Sequence, residues 1–106
     1  MLPKLNRLNL KFQFKEVITG GKVSHKFGNV YLKYGDNNKP KIGVALTTKV
    51  FKKAHERNRA KRVISAAFEK MLVKLPANIN ILVVPNAEVL KVKSEELLKE
   101  YENIIH

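Results

Sequence analysis

The feature that most constrains the fold of this chain is a segment from Ala54 or His55 to about Leu75, in which apolar side chains recur at helical spacing. One face of the predicted helix carries these side chains, which are Ala60, Ile64, Ala67, Phe68 and Met71. Pro76 ends the helix. Four cations lie near its start, in the stretch Arg57-Asn58-Arg59-Ala60-Lys61-Arg62. We expect the second half of this helix to pack and the first half to present a basic face.

The opposite face of the same helix is polar, and its members are Asn58, Arg59, Arg62, Ser65 and Glu69. Arg57 and Lys61 flank the apolar stripe, along which their stems can lie. Glu56 is the only acid near these cations, whereas a solvated helix usually pairs its bases with acids three or four residues away. Because the cations repel one another, the pattern favours a polyanionic partner.

Positive charge is concentrated around this helix. Lys49, Lys52 and Lys53 extend the run upstream, and the whole chain carries a net charge of +12. Residues 86–106 hold three lysines against five glutamates, a charge of −2, so the other 85 residues carry +14. A generally basic soluble protein, or one that binds an anionic membrane surface, would leave the concentration at 49–62 unexplained. Nucleic acid is therefore the favoured partner.

The residues before the helix predict a short helix followed by strands. Asn9 is expected to cap the short helix, Gly20-Gly21 end it, and its apolar positions are Leu10, Phe14, Val17 and Ile18. Residues 22–34 predict one or two strands, in which Val30, Leu32 and Tyr34 alternate with Tyr31 and Lys33. A turn signal at 35–40 then leads to a strand at 42–46. The strand that ends at Tyr34 and the strand at 42–46 are expected to form an antiparallel hairpin with a long loop.

The end of the chain predicts a central strand and a last helix. Residues 80–84, in which four apolar residues follow Asn80, are typical of a buried strand. Ser94 is a helix start, and the apolar stripe after it comprises Leu97, Leu98, Tyr101, Ile104 and Ile105. The order helix, strands, helix, strand, helix predicts an α+β fold, a small α-β sandwich. We interpret residues 1–106 as a single RNA-binding domain.

Composition argues against several other classes of protein. The chain has no cysteine, so no disulfide partner is expected. Its histidines are scattered, and its acids Glu16, Asp36, Glu56 and Glu69 are dispersed, so we expect no metal site and no catalytic residue. No apolar run approaches the ~20 residues of a membrane span. The first residues lack the apolar core of a secretory signal, so no membrane partner and a cytoplasmic location are expected.

Taken together, these segments resemble the protein subunit of bacterial ribonuclease P along nearly the whole chain. The signature is specific because the cationic helix follows a strand that runs into a basic loop. The matching segments are Leu2-Pro3-Lys4, Asn6-Arg7-Leu8, Phe14 with Val17 and Gly21, the strand and loop at 43–50, Ala54, the stretch 57–62, and Ala67-Phe68.

Four positions depart from the family's pattern. Thr48-Lys49 stands where paired lysines are usual, and Phe51 stands where a glycine is usual. Ser65-Ala66 replaces an Arg-Glu pair, and Ile18 replaces an aromatic residue of the first helix. These departures bear on individual contacts, chiefly stacking at Ile18, and leave the signature itself unchanged.

The resemblance implies a division of labour between protein and RNA. In this family the RNA subunit is the ribozyme, and it uses Mg²⁺, bound mainly by the RNA, to remove the 5′ leader from precursor tRNA by hydrolysis. The protein binds ribonuclease P RNA through the signature helix. It holds the single-stranded leader in a cleft between the first helix and the sheet. The family's fold contains a left-handed βαβ crossover.

Two sets of candidate site residues follow. Those expected to bind the ribozyme RNA are Lys49, Lys52, Lys53, Arg57, Asn58, Arg59, Lys61 and Arg62, of which the arginines offer planar forks suited to phosphate. Those expected to bind the precursor leader are Phe14 and Tyr31 as stacking platforms and Lys26 and Lys33 as nearby charge. Other interpretations stay open: Phe14 as a core residue, Tyr31 as an ordinary edge tyrosine, Asn58 as a local cap, and Arg57 as a residue whose stem covers the core.

A ribosomal or chaperone-like RNA-binding protein without an enzymatic partner is the alternative function. Both hypotheses predict an affinity for RNA that falls steeply as the salt concentration rises. They differ in leader dependence, because only a ribozyme cofactor should favour precursor tRNA over mature tRNA.

Overall fold

The computed structural model describes residues 6–8, 15 and 17–104, and within them four strands form one mixed sheet. The strands are β1 (Gly21–His25), β2 (Gly28–Tyr34), β3 (Lys41–Val44) and β4 (Ile79–Pro85), in the spatial order β1-β2-β4-β3. Outside the sheet lie the helices α1 (Ala54–Met71) and α2 (Ser94–Ile104) and the 3-10 helices Leu72–Lys74 and Ala87–Lys91. The predicted α+β fold is confirmed, and so is the start of α2 at Ser94. The one or two strands expected at 22–34 are two, and the first of them begins at Gly21.

The apolar strand β4 lies inside the sheet, as predicted. It pairs antiparallel with β2 and parallel with β3. The expected hairpin between β2 and β3 is therefore wrong, because β4 lies between them. The turn after Tyr34 reverses the chain but does not decide which strand becomes the neighbour. Side chains on both faces of β4 are buried, so a place between two strands, under elements on both faces, suits it better than an edge.

The parallel pairing of β3 and β4 requires a connection that leaves the sheet and returns to the same end. Helix α1 forms this crossover. The crossover agrees with the βαβ unit that the resemblance implies, and its left hand stays a prediction.

The sheet has two faces with different cover. On the first face, α1, α2 and alternate strand residues build the main core, whose strand members include Val30, Ile42, Ile79, Ile81 and Val83. On the second face, Leu82 packs with Leu8 and Val17 in a smaller cluster, which Tyr31, Ala45 and Val84 border. Successive strand residues point to opposite faces, which explains why Leu82 and its neighbours in sequence belong to different clusters.

The predicted first helix is described only in part. Lys15, Val17 and Ile18 are helical, and the N–H of Gly20 donates to the carbonyl of Val17 at 3.0 Å. Asn9, Leu10 and Phe14 lie outside the described residues.

Helix α1 buries the predicted stripe, because Ala60, Ile64, Ala67, Phe68 and Met71 are each at most 2% exposed. Full burial of a large apolar side chain stabilises a fold by about 1.5–3 kcal/mol. The helix ends at Met71 and tightens into the 3-10 turn Leu72–Lys74, a few residues earlier than predicted. Ser65 was expected on the polar face but is buried, since its position follows Ile64 and borders the packed side.

Helix α2 docks through Tyr101. The Tyr101 ring stacks on Phe68 of α1, with 4.8 Å between ring centroids, and meets the His25 ring edge-on at 5.5 Å. Burial raises the pKa of the Tyr101 hydroxyl and lowers that of the His25 imidazole. Leu97, one turn before Tyr101, is also fully buried. Tyr101 thus contacts both the sheet and α1, and Leu97 adds a second buried contact of the last helix with the main core. Of the helices described, none is long and apolar enough to cross a membrane.

Asn37 clamps the loop between β2 and β3 to the start of β4. Its side-chain N–H₂ group lies 2.7 Å from the Lys39 carbonyl, 3.1 Å from that of Ala77 and 3.2 Å from that of Ile79. Its carbonyl oxygen accepts a 2.9 Å hydrogen bond from Asn80, whose side chain is buried. One amide therefore fixes the entry of the chain into the central strand.

We predict that Asn37→Ala lowers the free energy of unfolding by about 1–3 kcal/mol, because the buried Asn80 amide loses its acceptor. Urea denaturation followed by circular dichroism measures the change. Asn38→Ala is the matched control, since Asn38 is the next residue and is exposed. Equal losses in the two variants would contradict the clamp.

Candidate nucleic-acid interface

The predicted RNA-binding residues come together on one surface. It is formed by the loop after β3 and the first half of α1, and it consists of Lys49, Lys52, Lys53, Arg57, Asn58, Arg59, Lys61 and Arg62. All of these residues except Arg57, which is partly buried, are exposed. We call this set the basic surface. The second half of α1 carries most of the buried stripe, so the helix presents its cations while its other end is packed.

Glu56, the one acid in residues 49–62, serves the helix start. The Lys53 backbone N–H donates to the Glu56 carboxylate at 3.3 Å, which closes a capping box at the N-terminus of α1. Because the Glu56 carboxylate is hydrogen-bonded at the start of the helix, it does not lie between the cations that follow it in α1. Asn58 lies beyond this cap and is exposed, so the structure does not use it as the local cap considered above.

Arg57 holds the basic loop in place. Its Nη1 donates to the Phe51 carbonyl at 2.9 Å and lies 3.4 Å from the Lys52 carbonyl. The Phe51 side chain is fully buried in the main core, and its N–H donates to the Thr47 carbonyl at 2.9 Å. The residue that replaces the family's usual glycine thus anchors the loop, and Arg57 holds the carbonyl of this residue and that of the next one, Lys52.

Arg59 turns toward the 3-10 helix before α2. Its Nε donates to the Leu90 carbonyl at 3.3 Å. This bond orients the guanidinium group and leaves its terminal amino groups at the surface. Arg59 and Arg57 are therefore both oriented by backbone carbonyls, whereas Lys61 and Arg62 extend from exposed positions on the next turn.

Tyr31 and Lys33, two of the predicted leader-binding residues, lie on the second face of the sheet. The partly buried Tyr31 ring borders the cluster of Leu8, Val17 and Leu82. The Lys33 Nζ lies 3.4 Å from the Thr19 hydroxyl, at the end of the first helix. The face therefore combines an aromatic ring and an ammonium group beside that helix, which is the combination that binds single-stranded nucleic acid.

The structure does not bring Lys26 to Tyr31. Lys26 occupies the turn between β1 and β2, and its Nζ lies 5.1 Å from the centroid of Phe27, a main-core ring. Lys22, which sequence reasoning missed, lies directly opposite Tyr31 in the β1–β2 register, with its Nζ 6.0 Å from that ring's centroid. The register would have identified Lys22 if the hairpin turn had been placed at Lys26-Phe27. Phe14 lies outside the described residues.

Asp36 lies in the loop after β2, Glu56 in the first turn of α1 and Glu69 near the end of α1. Among the residues described, no group of three His, Cys, Asp or Glu side chains is placed to hold a metal ion. The chemistry that the site offers is hydrogen bonding to anions by guanidinium and ammonium groups, together with one aromatic ring on the other side of the sheet.

The structure is that of a small α+β protein, with a four-stranded mixed sheet and α1 as the crossover between β3 and β4. The cationic first half of α1 gives it a surface suited to an anionic partner. The family model for Ribonuclease P matches residues 2–106, nearly the whole chain. The chain belongs to this family, and the resemblance noted from its motifs is confirmed.

Relatives by sequence agree with this assignment. The ribonuclease P protein component of Pseudanabaena sp. (strain PCC 6903) is 32% identical over 110 residues, covering 99% of this chain and 92% of the relative. That of Pseudoalteromonas atlantica is 37% identical over 65 residues, 61% of this chain. In the latter match the chain spans about half (53%) of the relative's length.

Solved structures show the same fold. The RNase P protein from Thermotoga maritima, in complex with 1-(4-fluorophenyl)-2-thiourea, superimposes with a TM-score of 0.81 at 21% identity, over 93% of this chain and 96% of that one. A Staphylococcus aureus RNase P protein mutant with defective mRNA degradation activity gives 0.82 at 19% identity, over 95% and 86%.

We predict that Arg57→Ala lowers the free energy of unfolding by about 1–3 kcal/mol, because it removes a charged hydrogen bond that holds the loop. Arg62→Ala is the matched control and should change it by no more than about 0.5 kcal/mol, as expected of an exposed position. Urea denaturation gives both values. An Arg57→Ala variant as stable as the control would show that the contacts to Phe51 and Lys52 contribute nothing.

Proposed function

We propose that this chain is the protein subunit of a ribonuclease P, and that it acts in the cytoplasm to assist removal of the 5′ leader from precursor tRNA. The observation that carries the proposal is the basic surface, whose members are cations, apart from Asn58, on α1 and its preceding loop, with Glu56 as the one acid in residues 49–62. Family membership supports ribonuclease P RNA as the partner.

The basic surface would bind the ribozyme RNA through its phosphates. Arg62 and Lys61 are exposed on α1, and Arg59 is oriented by the Leu90 carbonyl. Guanidinium groups form bidentate hydrogen bonds with phosphate, while lysine acts as a mobile point charge. Bound phosphates would also relieve the repulsion among the cations, so binding and local electrostatics favour the same state.

The 5′ leader would lie across the second face of the sheet. Tyr31 would stack on an unpaired base, and Lys22 and Lys33 would contact the phosphates beside it. Lys22 thus replaces Lys26 in the set that the sequence predicted. Unpaired bases expose faces that aromatic rings can stack on, whatever the base, so this contact suits leaders of varied sequence.

Catalysis would belong to the RNA subunit. Magnesium is the metal that the family implies, and the described residues do not fit a protein-held ion, because they bring no cluster of carboxylates together. The cations of the basic surface repel a free metal ion and attract phosphates. When bound, magnesium would be held by RNA phosphates and would activate water for hydrolysis. The protein's own residues would position the RNA and the leader.

We predict that Arg62→Ala weakens binding to a bacterial ribonuclease P RNA by roughly tenfold and reduces the salt slope by about one phosphate contact. Fluorescence titration at several salt concentrations measures both quantities. Lys99→Ala is the matched control, because it removes the same charge from an exposed position on α2. If the two variants bind RNA equally, charge in general and not the basic surface determines affinity.

We predict that Tyr31→Ala reduces the preference for precursor tRNA over leaderless tRNA by roughly tenfold, the loss expected when one base loses its stacking partner. Competition between the two tRNAs for the reconstituted complex gives the preference. Tyr34→Ala is the control, because Tyr34 lies on the same strand, is 56% exposed and points to the opposite face. An unchanged preference in Tyr31→Ala would remove Tyr31 from the leader site.

The same competition separates the alternative function. A ribosomal or chaperone-like RNA-binding protein would bind RNA with similar salt dependence and would not discriminate between tRNAs with and without a leader. No feature of the described residues favours that alternative over the family assignment.

A further inference from the structure

A groove of about 350 Å³ lies between α1 and the start of α2. From α1 it is lined by Arg59, Arg62, Val63 and Ala66. These positions are three or four residues apart along one side of the helix. The volume falls at the lower end of the range of about 300–1,000 Å³ that is usual for small-ligand sites.

The floor of the groove is apolar. Val63 and Val92 are partly buried and pack against the main core, and Ala66 lies one turn from Val63. A flat apolar group placed here would cover side chains that water now contacts. The floor alone does not say which group that is, since a nucleobase and an apolar side chain would both fit.

The rim of the groove is positive. Arg59, Arg62 and Lys93 are exposed around it, and Glu95 is the one acid in the lining. The Glu95 carboxylate accepts a hydrogen bond from its own backbone N–H and lies 3.8 Å from the Lys70 ammonium, and these contacts, together with the charge of Lys93 and a hydrogen bond from Ser94, lower its pKa. Lys93 thus faces both this acid and the groove, and the lining carries three cations against one acid.

An apolar floor of this size beneath a cationic rim matches an unpaired nucleotide, which joins a flat base to an anion. Unpaired RNA bases also stack on arginine guanidinium planes. Arg59 lies at the edge of the groove, where the bond to the Leu90 carbonyl orients its guanidinium group.

We propose that this groove binds one unpaired nucleotide of the RNA partner, with the base on Val63, Ala66 and Val92 and the phosphate on Arg62 and Lys93. The proposal rests on the proposed function, which makes RNA the partner. It extends the RNA contact beyond the basic surface, around α1 to the start of α2. It differs from the leader site, which lies on the second face of the sheet.

Ala66→Trp tests the proposal by filling the groove without removing a cation. We expect this variant of the full chain to bind a bacterial ribonuclease P RNA about tenfold more weakly, the loss of one stacked base. Ala87→Trp is the matched control, since Ala87 is exposed and does not line the groove. Normal binding by Ala66→Trp would overturn the groove proposal alone. Failure of the unmodified protein to bind this RNA would instead overturn the proposed function.

A second measurement tests whether the groove binds a base, and it does not depend on whether Ala66→Trp folds. Methyl NMR of the unmodified protein is recorded with a single-stranded pentaribonucleotide, and then with the same oligomer made abasic. We expect contacts from base protons to the Val63 and Val92 methyl groups, lost with the abasic oligomer. Equal methyl shifts with both oligomers, or none with either, would overturn the proposal. Shifts caused only by an apolar pentapeptide would assign the groove to a protein segment and would also overturn it.

Discussion

The packing of α1 on the first face of the sheet is the interaction on which the rest of the structure depends. Because α1 connects the parallel neighbours β3 and β4, it must lie over the sheet, and its buried stripe holds it there. Phe68 in that stripe also provides the ring on which Tyr101 stacks, so α2 docks through α1. The same packing fixes the direction in which the first half of α1 presents its cations.

Holding these cations together opposes folding and favours binding. The loop that carries Lys49, Lys52 and Lys53 is kept close to α1 by the buried Phe51 ring and by the Arg57 contacts to its carbonyl. Repulsion within such a cluster destabilises the protein alone and is relieved when phosphates lie against it. Proteins commonly carry locally destabilising arrangements of this kind at the sites where they bind a partner. The groove between α1 and α2 borders this cluster, which is why we assign it to the same RNA.

Much of this architecture could be predicted from the sequence. The periodicity of α1, the apolar run of β4 and the Ser94 start of α2 are local patterns, and the structure agrees with each of them. The pairing of β2 with β4 could not be predicted, because the choice of neighbouring strand depends on contacts between segments that are distant in sequence. For the site, spacing placed the basic surface on exposed positions, but Arg57 and Arg59 depend on distant carbonyls that no spacing reveals. Lys22 was missed because cross-strand register was unknown, and Ser65 because it borders the packed face.

The most direct test of the central claim is cleavage of a precursor tRNA with a 5′ leader at low magnesium by a bacterial ribonuclease P RNA. The RNA alone, the protein alone and both together are compared, with leaderless tRNA added as a competitor to the last. We predict efficient cleavage only when protein and RNA are combined, with weak competition from leaderless tRNA. Tight RNA binding without stimulation of cleavage would contradict the cofactor role. Cleavage by the protein alone would contradict the assignment of catalysis to the RNA.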